Sequence, residues 1–139
     1  MVAVFTACAV IYLRRRFVVV RVHGTSMLPA LRDGDRVLVR RSRRLRHGRG
    51  HGHRLTPGMV ALLASPPDGG WVLKRVAAAH GDEVPESVRP AVGGTAQVPP
   101  GMLVVLGDND RSTDSRSWGF LSAEQVLGAV VKRFPDGRR

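Results

Sequence analysis

The chain has 139 residues, a formal net charge of +11, 43% hydrophobic residues and 5% aromatics. That length holds one sizeable core and excludes two, and the apolar fraction excludes disorder throughout. A lone cysteine, Cys8, excludes a disulfide framework within the chain and a cysteine-based zinc site.

In chain order, MVAVFTACAVIYL carries no charge and runs into Arg14, Arg15 and Arg16. A helix that spans a bilayer needs roughly twenty apolar residues. Residues 1–16 are therefore expected as a hydrophobic helix that anchors to a membrane, either short or starting upstream of Met1. A buried helix is a second reading. A signal-peptide core is a third, but here the basic residues follow the apolar run and no small-residue cleavage site is evident. Arginines usually stay cytoplasmic, which opposes export of the segment that follows them.

Short β-type segments come next: Phe17–Val22, the alternating Arg36–Arg40, Met59–Leu63, Trp71–Val76, Met102–Leu106 and Val126–Val131. Turn signals separate them, including Asp33-Gly34-Asp35, Pro57-Gly58, Pro66-Pro67-Asp68-Gly69-Gly70 and Pro99-Pro100-Gly101. Only Ser122–Leu127 reads as helical, with Ser122 as its N-cap. Strands at this spacing predict a mainly β fold, a small antiparallel β-sheet domain over 17–135 with a tail at 136–139.

The charge sits in two patches. The triplet Arg14–Arg16 is one, and RRSRRLRHGRGHGHR at 40–54, with seven arginines and no acid, is the other. The remainder is nearly neutral. Residues 41–56 read as a mobile basic loop with Gly and His and no apolar periodicity. It suits anionic lipid headgroups or is a solvated surface loop. A nucleic-acid surface would interleave aromatic residues for stacking, and residues 40–54 contain none, so no nucleic-acid partner is expected. His51 and His53 are spaced for transient metal binding but lack carboxylate or cysteine partners nearby. No metal site and no cofactor is expected.

Twenty of the 22 cations are arginine; the lysines are Lys74 and Lys132. Lys132 sits beside Arg133 and reads as a surface charge. Lys74 has Val72 and Val76 as same-face neighbours on a strand. Burial between them disfavours the ammonium and makes the amine a usable base; arginine there would stay charged. A solvated edge lysine is the plainer reading. Ser26, in a Gly-Thr-Ser turn after a β-type run, is either a hydrogen-bonding turn residue or an exposed nucleophile needing a base. Gly107-Asp108-Asn109-Asp110-Arg111-Ser112-Thr113-Asp114-Ser115-Arg116 is either a polar loop tied by an Asp114–Arg116 pair or a third part of one site.

Taken together, the segments around Ser26-Met27-Leu28-Pro29, Leu73–Val76 with Gly81-Asp82, and Gly107–Gly119 resemble, in order, the boxes of the type I signal peptidase family, the membrane-anchored serine–lysine endopeptidases. With Gly34-Asp35 they cover nearly all of residues 17–134. The spacing is most similar to compact bacterial members and the mitochondrial inner-membrane protease branch.

The resemblance implies that Ser26 is the nucleophile and Lys74 its general base, within hydrogen-bond reach of each other, with Ser112 orienting the lysine amine. Asp114 and Arg116 would pair on an extended segment, and Gly107, Asp108 and Asn109 would shape the turn that delivers Ser112. Met27 would pack beside the substrate cleft, and the Ser26 N–H would be an oxyanion donor. Implied substrates are preproteins or propeptides with small residues at the first and third positions before the cut. The implied location is the cell membrane, with the catalytic domain on the extracytoplasmic face.

The chain departs from the family pattern at three points. Gly24 stands where many members place a serine that supplies a second oxyanion donor, Ala30 replaces a threonine, and the last box is one residue shorter than in the longer bacterial enzymes. A dedicated maturation protease, of the kind that trims nickel superoxide dismutase, is a narrower reading in the same family. A self-cleaving repressor shares the serine–lysine chemistry, but the chain shows neither a DNA-binding domain nor an Ala-Gly self-cleavage site.

Overall fold

A computed structural model describes residues 2–42, 55–65 and 69–137. The basic loop lies almost wholly outside the described residues, as do His47, His51, His53 and Pro66-Pro67-Asp68. Helix α1 (Val2–Arg16) runs into strand β1 (Phe17–Arg21), followed by β2 (Arg36–Arg41), β3 (Val60–Ala64), β4 (Trp71–Ala79) and β5 (Met102–Leu106). Helix α2 (Ser115–Trp118), β6 (Leu121–Ser122) and β7 (Val126–Phe134) complete the chain.

Strand β2 alternates so that one face leaves water, whereas β3 and β5, each with three successive buried residues, leave water on both faces. In β2, Val37 and Val39 are fully buried while Arg36 is exposed. All pairings are antiparallel, and the seven strands form one sheet in the order β1-β2-β7-β3-β4-β5-β6. Three register shifts interrupt the ladders, at Leu38/Val39, Leu62/Leu63 and Val76/Ala78. Such bulges bend a strand and increase its twist. The sheet curls as a result: Val20 and Val22, at one edge, share a core cluster with Leu62 of β3 and Leu73 of β4. That curl brings the turn after β1 towards the middle of β4.

The expected strands are all present, with β4 and β7 three residues longer at their C-terminal ends. Ser122–Leu127 is corrected. Only Ala123–Gln125 is helical, as one 3₁₀ turn. Ser122 does cap it, accepting from the Glu124 N–H at 3.2 Å while Gln125 Oε1 accepts from the Ser122 N–H at 3.0 Å. The turn stops because Val126 enters β7 opposite Leu63, and sheet pairing overrides local helix propensity. Two further short helical turns, Arg89–Val92 and α2, had no sequence expectation.

Val10, Ile11, Tyr12 and Leu13 of α1 are exposed. No helix among the described residues is long and apolar enough to cross a membrane.

Candidate active site

Ser26 sits in the turn that leaves β1. Backbone bonds between Val22 and Asp35, and between Gly34 and Val22, close the neck of this loop at 2.8 and 2.9 Å. Inside it, Gly24 takes φ +80° and donates its N–H to Asp33 Oδ1 at 2.8 Å. The left-handed backbone at Gly24 suits glycine. Ser26 is half-buried. Met27 next to it is 2% exposed and packs with Val20, Val22, Leu31, Val37 and Val39. Met27, expected to pack beside the cleft, is held in this core next to Ser26, where its apolar side chain leaves water.

Lys74 is mid-strand in β4 and 3% exposed. Register places it opposite Ala61 of β3, while Val76 is buried and Val72 packs against the same cluster. This is the apolar setting anticipated for it. Burial pushes the Lys74 ammonium below its ordinary value of 10.5, the Asp114 carboxylate opposes that, and the Arg116 charge adds to it. The amine donates to Ser112 Oγ at 2.5 Å and lies 5.8 Å from the centroid of the Trp118 ring.

The loop after β5 carries Ser112 to that position. Gly107 is the point of closest approach: a Cβ there would overlap the Ser112 side chain and lie 2.6 Å from the Ser26 carbonyl oxygen. The loop is tied to the Ser26 turn by Asn109, whose backbone N–H donates to the Ser26 carbonyl at 3.0 Å and whose Nδ2 donates to the Thr25 carbonyl at 3.1 Å. The Ser112 N–H in turn donates to the Asn109 carbonyl at 2.9 Å. Ser26, Lys74 and Ser112 are thereby gathered at one place by three separate segments.

On one point the geometry departs from expectation. Among the described residues no hydrogen bond joins Ser26 Oγ to Lys74 Nζ; the amine is bonded to Ser112 instead. Catalytic hydrogen bonds are often long without substrate and tighten in its complex. The Ser26 backbone N–H is also without a partner among the described residues, which leaves it free to donate.

Asp114 is fully buried and accepts from Gly107 N–H at 2.8 Å and from Arg116 Nη2 at 2.7 Å, Nε at 2.9 Å and N–H at 3.1 Å. Burial alone would raise its carboxyl pKa; the bonds from Arg116 and the Gly107 and Arg116 N–H groups outweigh it and hold the group below 3.8. The pair forms as expected, but not on an extended segment: Asp114 is the N-cap of α2 and Arg116 lies within that helix. A capping aspartate takes the Arg116 N–H and leaves the guanidinium to fold back over it.

Asp108 does more than shape a turn. Its carboxylate accepts two bonds from Arg75, at 2.7 Å from Nε and 2.6 Å from Nη2, and Arg75 Nη1 also donates to the Gly58 carbonyl at 2.7 Å. This fork ties the strand residue after Lys74 to the loop that holds Ser112. Asn109 was expected to shape this turn; its bonds to the Thr25 and Ser26 carbonyls add a tie to the Ser26 turn that was not anticipated. Arg75 had no expected role, and its only sequence signal is adjacency to Lys74.

A half-buried serine, a desolvated lysine and a second serine bonded to that lysine, beside the middle of β4 in a curled antiparallel sheet, form a site of serine-hydrolase character. Comparison with known proteins carries this further. The family described as "Signal peptidase, peptidase S26" matches residues 1–88 and 85–134. "Probable signal peptidase I-1" of Synechocystis sp. is 30% identical over 146 aligned positions, covering 81% of this chain and 69% of the relative. Signal peptidase I of Bacillus caldolyticus is 48% identical over 44 residues, 31% of this chain and 24% of that protein. Among solved structures, a signal peptidase I from Enterococcus faecalis V583 aligns with a TM-score of 0.44 and 23% identity, covering 56% of this chain and 97% of that one. The chain belongs to the signal peptidase, S26 peptidase family, and is a serine-type endopeptidase.

Proposed function

We propose that this chain removes signal peptides or propeptides from preproteins, with Ser26 as nucleophile and Lys74 as general base. The observation that carries the reading is the desolvated Lys74 amine, held at 2.5 Å by Ser112 on a loop that also bonds the Ser26 carbonyl. In the neutral form Lys74 takes the Ser26 hydroxyl proton as the oxygen attacks the scissile carbonyl. The resulting oxyanion receives the free Ser26 N–H. The tetrahedral intermediate collapses to an acyl-enzyme as the protonated lysine gives its proton to the leaving amine. Lys74, neutral again, deprotonates a water that attacks the ester, and the carboxylic product and Ser26 hydroxyl are released.

An extended substrate suits the site. β5 pairs with β4 from Arg75 onward, so Trp71–Lys74 have a β3 partner on one side and, among the described residues, no strand partner on the other. A peptide can add its backbone along that free edge and reach Ser26. Exposed α1 side chains and Arg14–Arg16 fit contact with a membrane and its anionic headgroups, with the catalytic domain on the extracytoplasmic face.

The test is cleavage of a preprotein substrate by wild type, Ser26→Ala and Lys74→Ala, each checked for folding by circular dichroism. Both variants are expected to lose at least about 10³-fold in kcat/KM. Full activity in either folded variant removes the assignment.

A further inference from the structure

A second site lies on the outer face of β1, β2 and β7. Arg21 and Arg36 are register partners directly across from each other, and Phe134 is the partner of Arg36 on the next strand. All three stand on the face opposite to the buried Val20 and Val37. A cavity of about 300 Å³ opens there, lined by Arg21, Gly34, Arg36, Phe134, Pro135 and Asp136 among others.

The cavity is a built feature. Asp35, 2% exposed, accepts from Arg133 Nε at 2.8 Å and from the Asp136 N–H at 3.0 Å, which pins the chain after β7 over the end of β1 and β2. Gly34 permits that approach: its φ is +89°, and a Cβ would lie 2.8 Å from Asp136 Oδ2. Within this wall neither the Arg21 nor the Arg36 side chain has a hydrogen bond or ion pair among the described residues, and Asp136, the one carboxylate among the described lining residues, pairs with neither. Like charges directly opposite each other on an antiparallel pair oppose folding. An anion between them removes that repulsion.

We infer that this cavity binds a phosphate group between the guanidinium forks of Arg21 and Arg36. Guanidinium groups match phosphate oxygens bidentately. Phe134 and Val19, 40% and 57% exposed, border the arginines, so a phosphodiester headgroup fits there as well as free phosphate. The site is separate from Ser26 and Lys74 and does not depend on their roles.

The test uses the full chain in detergent and two probes. One is inorganic phosphate, titrated against chloride at equal ionic strength and read by thermal melting and calorimetry. The other is co-sedimentation with equimolar phosphatidylglycerol–phosphatidylcholine vesicles, against phosphatidylcholine alone. Arg21→Gln and Arg36→Gln are compared with wild type and with Arg32→Gln, an equal loss of charge outside the cavity. Phosphate, the anionic vesicle or both should bind wild type and Arg32→Gln alike, and about tenfold more weakly to either cavity variant. A response to inorganic phosphate identifies the free anion, and a response to the vesicles alone identifies the headgroup. Without ligand, Arg36→Gln should melt above wild type. Equal binding by all four proteins, or a loss in Arg32→Gln as large as in the cavity variants, overturns the inference.

Discussion

Lys74 and Ser112 are 38 positions apart in the chain, yet the lysine amine donates to the serine hydroxyl at 2.5 Å. The lysine is fixed by strand pairing and the serine by a loop tied to the Ser26 turn, so three segments converge on one amine. Each tie can be broken separately.

Removing the hydroxyl of Ser112 should leave Lys74 in place and free to rotate. A hydrogen bond from a charged or polarised donor contributes roughly 1.5–3 kcal/mol, so Ser112→Ala should lower kcat/KM about tenfold to a hundredfold. Melting should change little, since Ser112 is not part of the core. Wild-type kcat/KM in Ser112→Ala would show that the hydroxyl does not orient the base.

Gly107→Ala probes the space in which the site is assembled. The new methyl would overlap Ser112 and press on the Ser26 carbonyl at 2.6 Å, so the loop must move away from β4. We expect a loss of about 10²-fold or more in kcat, by displacement of positioned groups, in a protein that still folds. Steady-state kinetics beside circular dichroism separates this outcome from simple unfolding.

The pH dependence follows from the lowered pKa of Lys74. The amine acts as a base only when neutral, so kcat/KM should rise with pH through an inflection below 10.5. For stability the sign is also fixed. Between the folded and the unfolded pKa the unfolded chain binds more protons, so stability rises with pH across that window. The cost of burying the ammonium is full below the folded pKa and gone above the unfolded one. Lys74→Met should therefore melt above wild type at neutral pH, with the difference closing as pH approaches 10.5. A constant difference from neutral to alkaline pH would contradict this assignment.

Asp114 has the opposite dependence. Its carboxyl is held below 3.8 in the folded protein, so its contribution is complete above the unfolded value and fades as pH falls through the folded one. Asp114→Ala strands the Gly107 N–H and leaves Arg116 without its buried partner. We expect a loss of about 2–4 kcal/mol at neutral pH, at the low end because Arg116 is partly solvated. Denaturant melts of wild type and variant should converge on acidification; parallel curves down to strongly acid pH would refute the mechanism.

Arg75 and Asp108 form the remaining tie. Arg75→Gln removes a bidentate pair at 2.6–2.7 Å and the bond to the Gly58 carbonyl. Because Arg75 is about one-third exposed, the stability loss should be small, about 0.5–1 kcal/mol. Activity should fall more, about fivefold to tenfold, because a looser Gly107–Ser112 loop misplaces Ser112. Parallel measurement of melting and kcat/KM checks that inequality.

Sequence alone marked six of the seven strands and named the residues of the candidate site. The alternation in β2 and the β-branched or apolar runs of β1 and β5 favour extended backbone, a rule that acts locally, and their bounds follow from it to within a residue. The lysine scarcity marked Lys74 for the same kind of reason: two apolar neighbours at alternate positions are written in adjacent letters. The tertiary structure decided what crosses the chain. The Arg75–Asp108 fork, the Asn109 clamp, the burial of Met27 and the truncation of the Ser122 helix all depend on which strand lies beside which. Sheet register and curl set those contacts, and both are properties of the folded whole that no local pattern records. The composition, rich in arginine and poor in lysine, divides along that line: it pointed to Lys74 directly and the short Asp114–Arg116 spacing was legible locally, whereas the roles of Arg75 and Arg133 emerged only with their partners in place.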